Sequence, residues 1–187
     1  IKSLVFSTDV AIIKNINADA IIAVYPFTPQ PAITQAIIGV SEVPVFCGVG
    51  GGLTNGVRSA SMAAYVEHQG AYGVVCNSKI GVETIHAIKD AVEIPVVYTV
   101  ISENTDIQPY LTAGVDIINV SGAARTPEIV GALRQRYPEL PIIATGGPTE
   151  ESILATIRAG ANAITYTPPS SASLFAKTMA GNRSELE

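Results

Sequence analysis

At 187 residues, 48% apolar, only 14% charged and with a net charge of −5, the chain has the size of one domain and too little charge to cover its outside. Part of that outside is expected to lie against copies of itself, as a homo-oligomer. Eleven basic residues scattered singly exclude a nucleic-acid groove, and no apolar run approaches the roughly 18–20 residues of a membrane span.

Short apolar, β-branched runs recur along the chain at Ser3–Ser7, Ile21–Tyr25, Val43–Gly48, Gly73–Asn77, Pro95–Thr99, Asp116–Val120, Pro141–Gly146 and Ala163–Thr167. Each is about five residues long and apolar on both faces, the pattern of a fully buried parallel strand. Segments of helical period separate them, among them Glu83–Val92 and Glu150–Ala159. Strands alternating with helices predict a parallel sheet with right-handed crossovers.

A finer alternation lies inside the first. Odd-numbered strands are introduced by Glu42-Val43-Pro44, Glu93-Ile94-Pro95 and Glu139-Leu140-Pro141, where proline stops the preceding helix at the strand's edge. Even-numbered strands follow Asn17-Ala18-Asp19-Ala20, Gly70-Ala71-Tyr72-Gly73, Gly114-Val115-Asp116-Ile117 and Gly160-Ala161-Asn162-Ala163, where Gly or Asn suits a left-handed helix cap. Eight strand–helix units alternating in type predict an α/β fold, a compact (β/α)8 TIM barrel spanning residues 1–187 as a single domain. A closed ring is favoured over an open sheet because it leaves no edge strand to protect.

In such barrels the chemistry sits at the C-terminal ends of the strands, and phosphate often binds after strands seven and eight. Here strand seven ends in Gly146 and Gly147, whose backbone N–H groups are free to close on an anion, and a helix starts at Pro148 or Thr149. After strand eight come Thr167, Ser170, Ser171 and Ser173, which offer hydroxyls and helix-start N–H groups to the same anion.

The run Thr145-Gly146-Gly147, continued by Ser152 and by Ala159-Gly160-Ala161-Asn162-Ala163-Ile164, resembles the seventh-to-eighth-strand segment of the ribulose-phosphate-binding barrel group. That group includes the keto-deoxy-phosphogluconate aldolases, to which the chain is distantly similar. The resemblance implies a substrate phosphate held on the paired glycines and on the turn after strand eight. FMN-binding barrels use similar glycines for the cofactor phosphate. The chain departs from the group's Gly-Ser turn with Thr165-Tyr166-Thr167-Pro168-Pro169, whose prolines donate no N–H, so the cup must lean on Thr167, Ser170 and Ser171.

Other strand ends supply few reactive groups. His68 and His86 fall within helical segments, and no His/Asp/Glu cluster has metal-ligand spacing; carboxylates for a metal would have to come from loops, at Asp9, Glu103 or Asp106. The aldolases of the group carry a Schiff-base lysine, usually on strand six, and strand six here, Asp116–Val120, has none. Lys79, just past strand four, is the lysine near the active end; a Schiff-base role there needs its side chain desolvated, and an anion contact is the simpler use. The glycine-rich stretch Cys47–Gly56 after strand three permits close approach of backbone to a ligand, with Arg58 in the next helix's first turn and Arg125 after strand six as further anion contacts. Tyr25, Cys47, Asn77, Tyr98, Thr99, Asn119, Ser121 and Thr145 are polar strand-end residues suited to hydrogen-bonding a small polyol or keto acid. Acid–base work falls to Tyr25, Glu103, Asp106 or Lys79; Cys47 reads as a buried filler.

The expectation is a barrel that binds a small phosphorylated metabolite and acts on it as a lyase or isomerase, without metal or other cofactor. The catalytic candidates are Lys79, Tyr25 and Glu103, and the ligand contacts Gly146, Gly147, Thr167, Ser170, Ser171, Asn119, Ser121, Arg58 and Arg125. A non-catalytic metabolite sensor and an FMN-binding oxidoreductase are the rival readings. Two cysteines, Cys47 and Cys76, make no disulfide framework, so free thiols in a reducing cytoplasm are expected. No signal peptide is legible, and Ile1 in place of a methionine leads us to expect residues ahead of it.

Overall fold

A computed structural model describes residues 1–184. The strands are β1 (Lys2–Phe6), β2 (Ala20–Ala23), β3 (Val45–Gly50), β4 (Gly73–Cys76), β5 (Val96–Val100), β6 (Ile117–Val120), β7 (Ile142–Thr145) and β8 (Ala163–Tyr166). The helices are α1 (Val10–Lys14), α2 (Pro31–Val40), α3 (Val57–His68), α4 (Val82–Ala91), α5 (Gln108–Thr112), α6 (Thr126–Arg136), α7 (Glu150–Arg158) and α8 (Ser171–Ser184). All eight strands pair in parallel and in chain order, and β8 returns to β1 through Lys2–Ala163 and Leu4–Thr165, closing a (β/α)8 barrel.

Two apolar layers follow from the period-two alternation of strand side chains. One set points to the barrel axis, where Leu4, Ala20, Ile22, Phe46, Val75, Val97, Ile143 and Ala163 fill the interior. The other, including Ile21, Val74, Val96, Ile118 and Ile142, packs outward against helix residues such as Ile37, Val66, Ile85, Ile88 and Ile129. This is a core cut into a plug and a surrounding sleeve, as the fold requires.

The two kinds of strand introduction have different hydrogen-bonding uses. The carbonyls of Pro44, Pro95 and Pro141 accept the N–H groups of Ile21, Val74 and Ile118 from the preceding strand, at 2.9–3.0 Å. Proline thus serves as an acceptor at the threshold of the sheet, where its missing N–H is no loss. That places β3 at Val45–Gly50, two residues later than the run Val43–Gly48 predicts.

At the even strands the bond is reciprocal. Asp19 donates its N–H to Ser3 O (2.9 Å) and its carboxylate accepts the Ser3 N–H (2.8 Å). Asp116 does the same with Val96 (2.9 and 2.9 Å), and Asn162 with Ile142 (2.8 and 2.9 Å). In the fourth copy Tyr72 donates to Val45 O (2.8 Å), and its ring meets Phe46 edge to face at 5.5 Å. Each ring ties an even strand to the odd strand before it, at the end of the barrel opposite the mouth.

α8 differs from the other long helices. None of its residues is buried, and Leu174 and Phe175 are exposed. No helix among the described residues is long and apolar enough to cross a membrane.

Candidate functional site

The period-two alternation that builds the interior plug also builds the site. Two residues beyond Val75, Val97, Ile143 and Ala163 in the chain stand Asn77, Thr99, Thr145 and Thr165, and two and four beyond Ile117 stand Asn119 and Ser121. The same face of each strand thus turns from apolar to polar as it reaches the mouth. These six residues, with Thr167, line a cavity of about 550 Å3. Its opposite wall is apolar and comes from the ends of the first three strands and their loops: Phe6, Ile22, Val24, Phe27, Pro29 and Leu53.

Inside the cavity the polar groups are incompletely used. Asn119 donates from Nδ2 to Thr99 Oγ1 at 3.3 Å. Thr165 and Thr54, only 6% and 5% exposed, have hydroxyl oxygens with no partner among the described residues. Buried hydroxyls without partners are costly, and a ligand that supplies the partner recovers that cost. Tyr25 lines the wall, and its hydroxyl oxygen accepts the Gln30 N–H at 2.8 Å. Lys79 is the one charged residue in the lining and makes no ion pair among the described residues. Among the described residues no carboxylate and no histidine lines it.

Of the residues expected from sequence to act here, Lys79, Tyr25, Asn119, Ser121 and Thr167 meet in this cavity. Others lie elsewhere. Glu103 and Arg125 are ion-paired to each other, and Arg125 also donates to Glu128 at 3.2 Å. The Arg125 hydrogen bond holds the Glu103 carboxyl below its ordinary range, which makes it a weak base, and neither residue lines the cavity. Arg58 lines a neighbouring groove of about 380 Å3 that shares Pro29 and Thr54 with the main cavity. Cys47 and Tyr98 point outward into the sleeve. Burial pushes the Cys47 thiol up to about 12, and Tyr98 stacks on Tyr110 at 4.0 Å and donates to Ser78 O at 3.2 Å.

The β7–β8 cup takes a different form from the expected one. A Cβ on Gly146 would lie 2.7 Å from Ile164 Cγ2 and 2.9 Å from Ile153 Cγ1, and the Gly146 N–H donates to Thr165 O at 3.1 Å. Gly146 is therefore small because α7 packs close to β8. Gly147 has φ +81, a turn conformation that favours glycine, and leads into the Thr149–Ser152 capping box of α7. At the start of α8, Ser171 donates both N–H and hydroxyl to the Asp9 carboxylate, and Ser170 and Ser173 bond to each other. The Asp9 carboxylate takes up the Ser171 N–H and hydroxyl, and Gly146, Gly147, Ser170 and Ser171 stay outside the cavity lining.

The residues that sequence reasoning missed are Thr54, Leu53, Phe27 and Thr165. Thr165 was recoverable by counting in twos from Ala163. The others sit on loops, where no periodicity marks which side chain turns inward.

No protein-family model and no curated protein matches the chain. Solved structures of the same fold do. A 2,3-dimethylmalate lyase of the PEP mutase/isocitrate lyase superfamily superposes with a TM-score of 0.75 at 15% identity, over 99% of this chain and 81% of that one. Phosphonopyruvate hydrolase, in complex with oxalate and Mg++, gives 0.72 at 17%, over 97% and 80%. A 3-hexulose-6-phosphate synthase gives 0.68 at 17%, over 89% and 90%. At these identities the likeness shows the fold alone, and it singles out no aldolase within it.

The comparison corrects the expectation of a site without cofactors, because phosphonopyruvate hydrolase on this same fold holds Mg++ beside oxalate. Among the described residues, the side chains that line this cavity do not make a magnesium site on their own. Mg2+ is typically held by one or two carboxylates together with substrate oxygens and waters. The cavity lining offers amides and hydroxyls, and among the described residues no three His, Cys, Asp or Glu come together as a metal cluster.

Proposed function

We propose that the barrel mouth binds a small phosphorylated or keto-acid metabolite and acts on it as a lyase or isomerase. The observation that carries this reading is the composition of the cavity: a polar arc of Asn77, Thr99, Asn119, Ser121, Thr145 and Thr165, an unpaired Lys79, and no carboxylate to repel an anion. The three compared barrels, a lyase, a hydrolase and a sugar-phosphate synthase by name, lend support at the level of fold.

In this reading the amides of Asn77 and Asn119 and the ammonium of Lys79 stabilise negative charge that develops on a substrate oxygen when an adjacent bond breaks or a proton leaves. The Thr99, Thr145 and Thr165 hydroxyls orient the substrate's own hydroxyls, and the apolar wall at Phe27 and Leu53 sheds water from the bound ligand. Tyr25 is the acid–base candidate that lines the cavity.

A thermal-shift screen with sugar phosphates, phosphorylated keto acids and oxalate, each with and without MgCl2, tests this, followed by product detection on every stabilising compound. Turnover that disappears in Lys79→Met supports the reading. Stabilisation without turnover leaves the metabolite sensor in its place, a reading that the lack of His, Asp and Glu in the lining favours. No stabilisation by any compound rejects both.

A further inference from the structure

The sequence and the fold both direct attention to β7 and β8 for the anion, but the charges of the mouth are arranged otherwise. Acidic side chains stand on that side: Asp9 at the start of α8, and Glu150 and Glu151 in the first turn of α7. On the opposite side, the main cavity and the neighbouring groove meet at Thr54, and their combined lining contains Lys79 and Arg58 and no acid. Neither cation has an ion-pair partner among the described residues. In a chain of net charge −5, one cation without an ion-pair partner in each of two adjoining spaces makes a local positive pole.

The β3–α3 loop beside Thr54 carries unbonded N–H groups. The N–H groups of Gly52, Leu53, Thr54 and Asn55 donate to no acceptor among the described residues. The loop runs into the twelve-residue helix α3, whose N-cap is Gly56 at φ +62, with no side-chain cap and no acid in the first turn. A helix start of this kind presents free N–H groups and a partial positive charge. A separate observation points to a ligand here. Thr54, in the wall shared by the two spaces, is 5% exposed and its Oγ1 has no partner. Glycine is required along the approach: a Cβ on Gly50 would lie 2.0 Å from Ser59 Oγ, and Gly51 sits at φ +91 with its Cβ position 2.7 Å from Asn77 O.

We propose that the β3–α3 loop, with Thr54, Arg58 and Lys79, holds the phosphoryl group of the ligand, while its uncharged hydroxyl-bearing part lies along β5 to β8. This rests on reading the cavity as a phosphometabolite site and moves the anion to the far side of the mouth from the paired glycines. A phosphoryl group suits the site better than a carboxylate because it brings more acceptor oxygens and more negative charge to the unbonded N–H groups and the two cations.

The test is titration calorimetry with inorganic phosphate, a sugar phosphate and oxalate, on the parent protein and on Arg58→Ala, Arg58→Lys, Ser171→Ala and Gly147→Ala. Arg58 is exposed, so its replacement leaves the core intact. The expected result is phosphate and sugar-phosphate binding weakened about tenfold or more by Arg58→Ala, partly restored in Arg58→Lys, and unchanged in Ser171→Ala. Binding that is indifferent to Arg58 but lost in Ser171→Ala or Gly147→Ala overturns the loop site and leaves the phosphometabolite reading standing. Oxalate binding that depends on Arg58, with no phosphate binding, also overturns it in favour of a carboxylate ligand. No binding by either phosphorylated probe overturns both readings.

Discussion

Asp9 Oδ2 accepts both the N–H and the hydroxyl of Ser171, at 2.8 and 2.6 Å, across 162 positions of sequence. The other oxygen of the same carboxylate accepts the Ala11 and Ile12 N–H groups at the start of α1. One side chain therefore begins both the first and the last helix. The bonds from Ser171 hold its pKa below the ordinary 3.8. A depressed folded-state pKa means that the stabilisation is present above the unfolded value and is lost as pH falls through the folded one. The protection of the Ser171–Leu174 amides against hydrogen exchange, taken relative to the intrinsic rate at each pH, is expected to fall on acidification below about pH 4, and in Asp9→Ala at neutral pH. Unchanged exchange in Asp9→Ala would show that α8 starts without this cap.

Asp19 provides a second acid-sensitive tie. The Ser3 N–H, then Lys2, lowers its pKa from 3.8 to about 2. Its contribution is complete above the unfolded value and fades as pH drops toward 2. Asp19→Asn keeps one acceptor oxygen, as Asn162 does in the β7–β8 copy, and removes the titration. The variant's unfolding midpoint is expected to vary less than the parent's between pH 4 and pH 2 when the two are compared by circular dichroism.

Gly146 is expected to respond as a packing residue. Adding a methyl group at a position 2.7 Å from Ile164 Cγ2 and 2.9 Å from Ile153 Cγ1 overfills the α7–β8 contact. Gly146→Ala should lose about 1–3 kcal/mol of stability, the usual cost of overpacking, while a bound phosphate keeps its affinity. Urea unfolding and calorimetry on the same variant check the two halves. A stable variant with lost phosphate affinity would return the anion to β7.

Both thiols are expected to be inert in the folded protein. Cys47 is 1% exposed and Cys76 is 0% exposed, and burial raises each to about 12. An aromatic disulfide reagent at pH 8 should titrate neither residue until denaturant is added, and then both. Rapid reaction of one thiol in the native state would mean that the sleeve opens locally at that strand.

The barrel was legible in the sequence because its signals repeat: eight apolar runs, Glu-x-Pro before three of the odd strands, and a Gly or Asn followed two residues later by Asp, Asn or Tyr before the even ones. The site was legible only in part. Strands buried on both faces do not disclose which face points inward, so Thr99 and Asn119 were named alongside the outward Cys47 and Tyr98. The paired glycines permit an anion and a close helix contact equally well. The choice between those uses depends on Ile153 and Ile164, and on a carboxylate at Asp9, which lie elsewhere in the chain. α8 has an ordinary helical sequence, and nothing local in it indicates that it buries none of its residues.

The reciprocal bonds at Asp19, Asp116 and Asn162, with Tyr72 as a partial fourth, divide the ring into four odd–even strand pairs. A break in the connection before β3, β5 or β7 crosses none of those ties, whereas one within a pair separates its two strands. The barrel is thus jointed, with its joints in the Glu-x-Pro segments. Two separately produced halves divided ahead of β5 each retain two of the four tied pairs, and re-form the β4–β5 and β8–β1 seams together with the Lys89–Asp116 bond. Those segments are therefore the places at which this chain is suited to being permuted, split or recombined, and all of them lie at the end of the barrel away from the mouth.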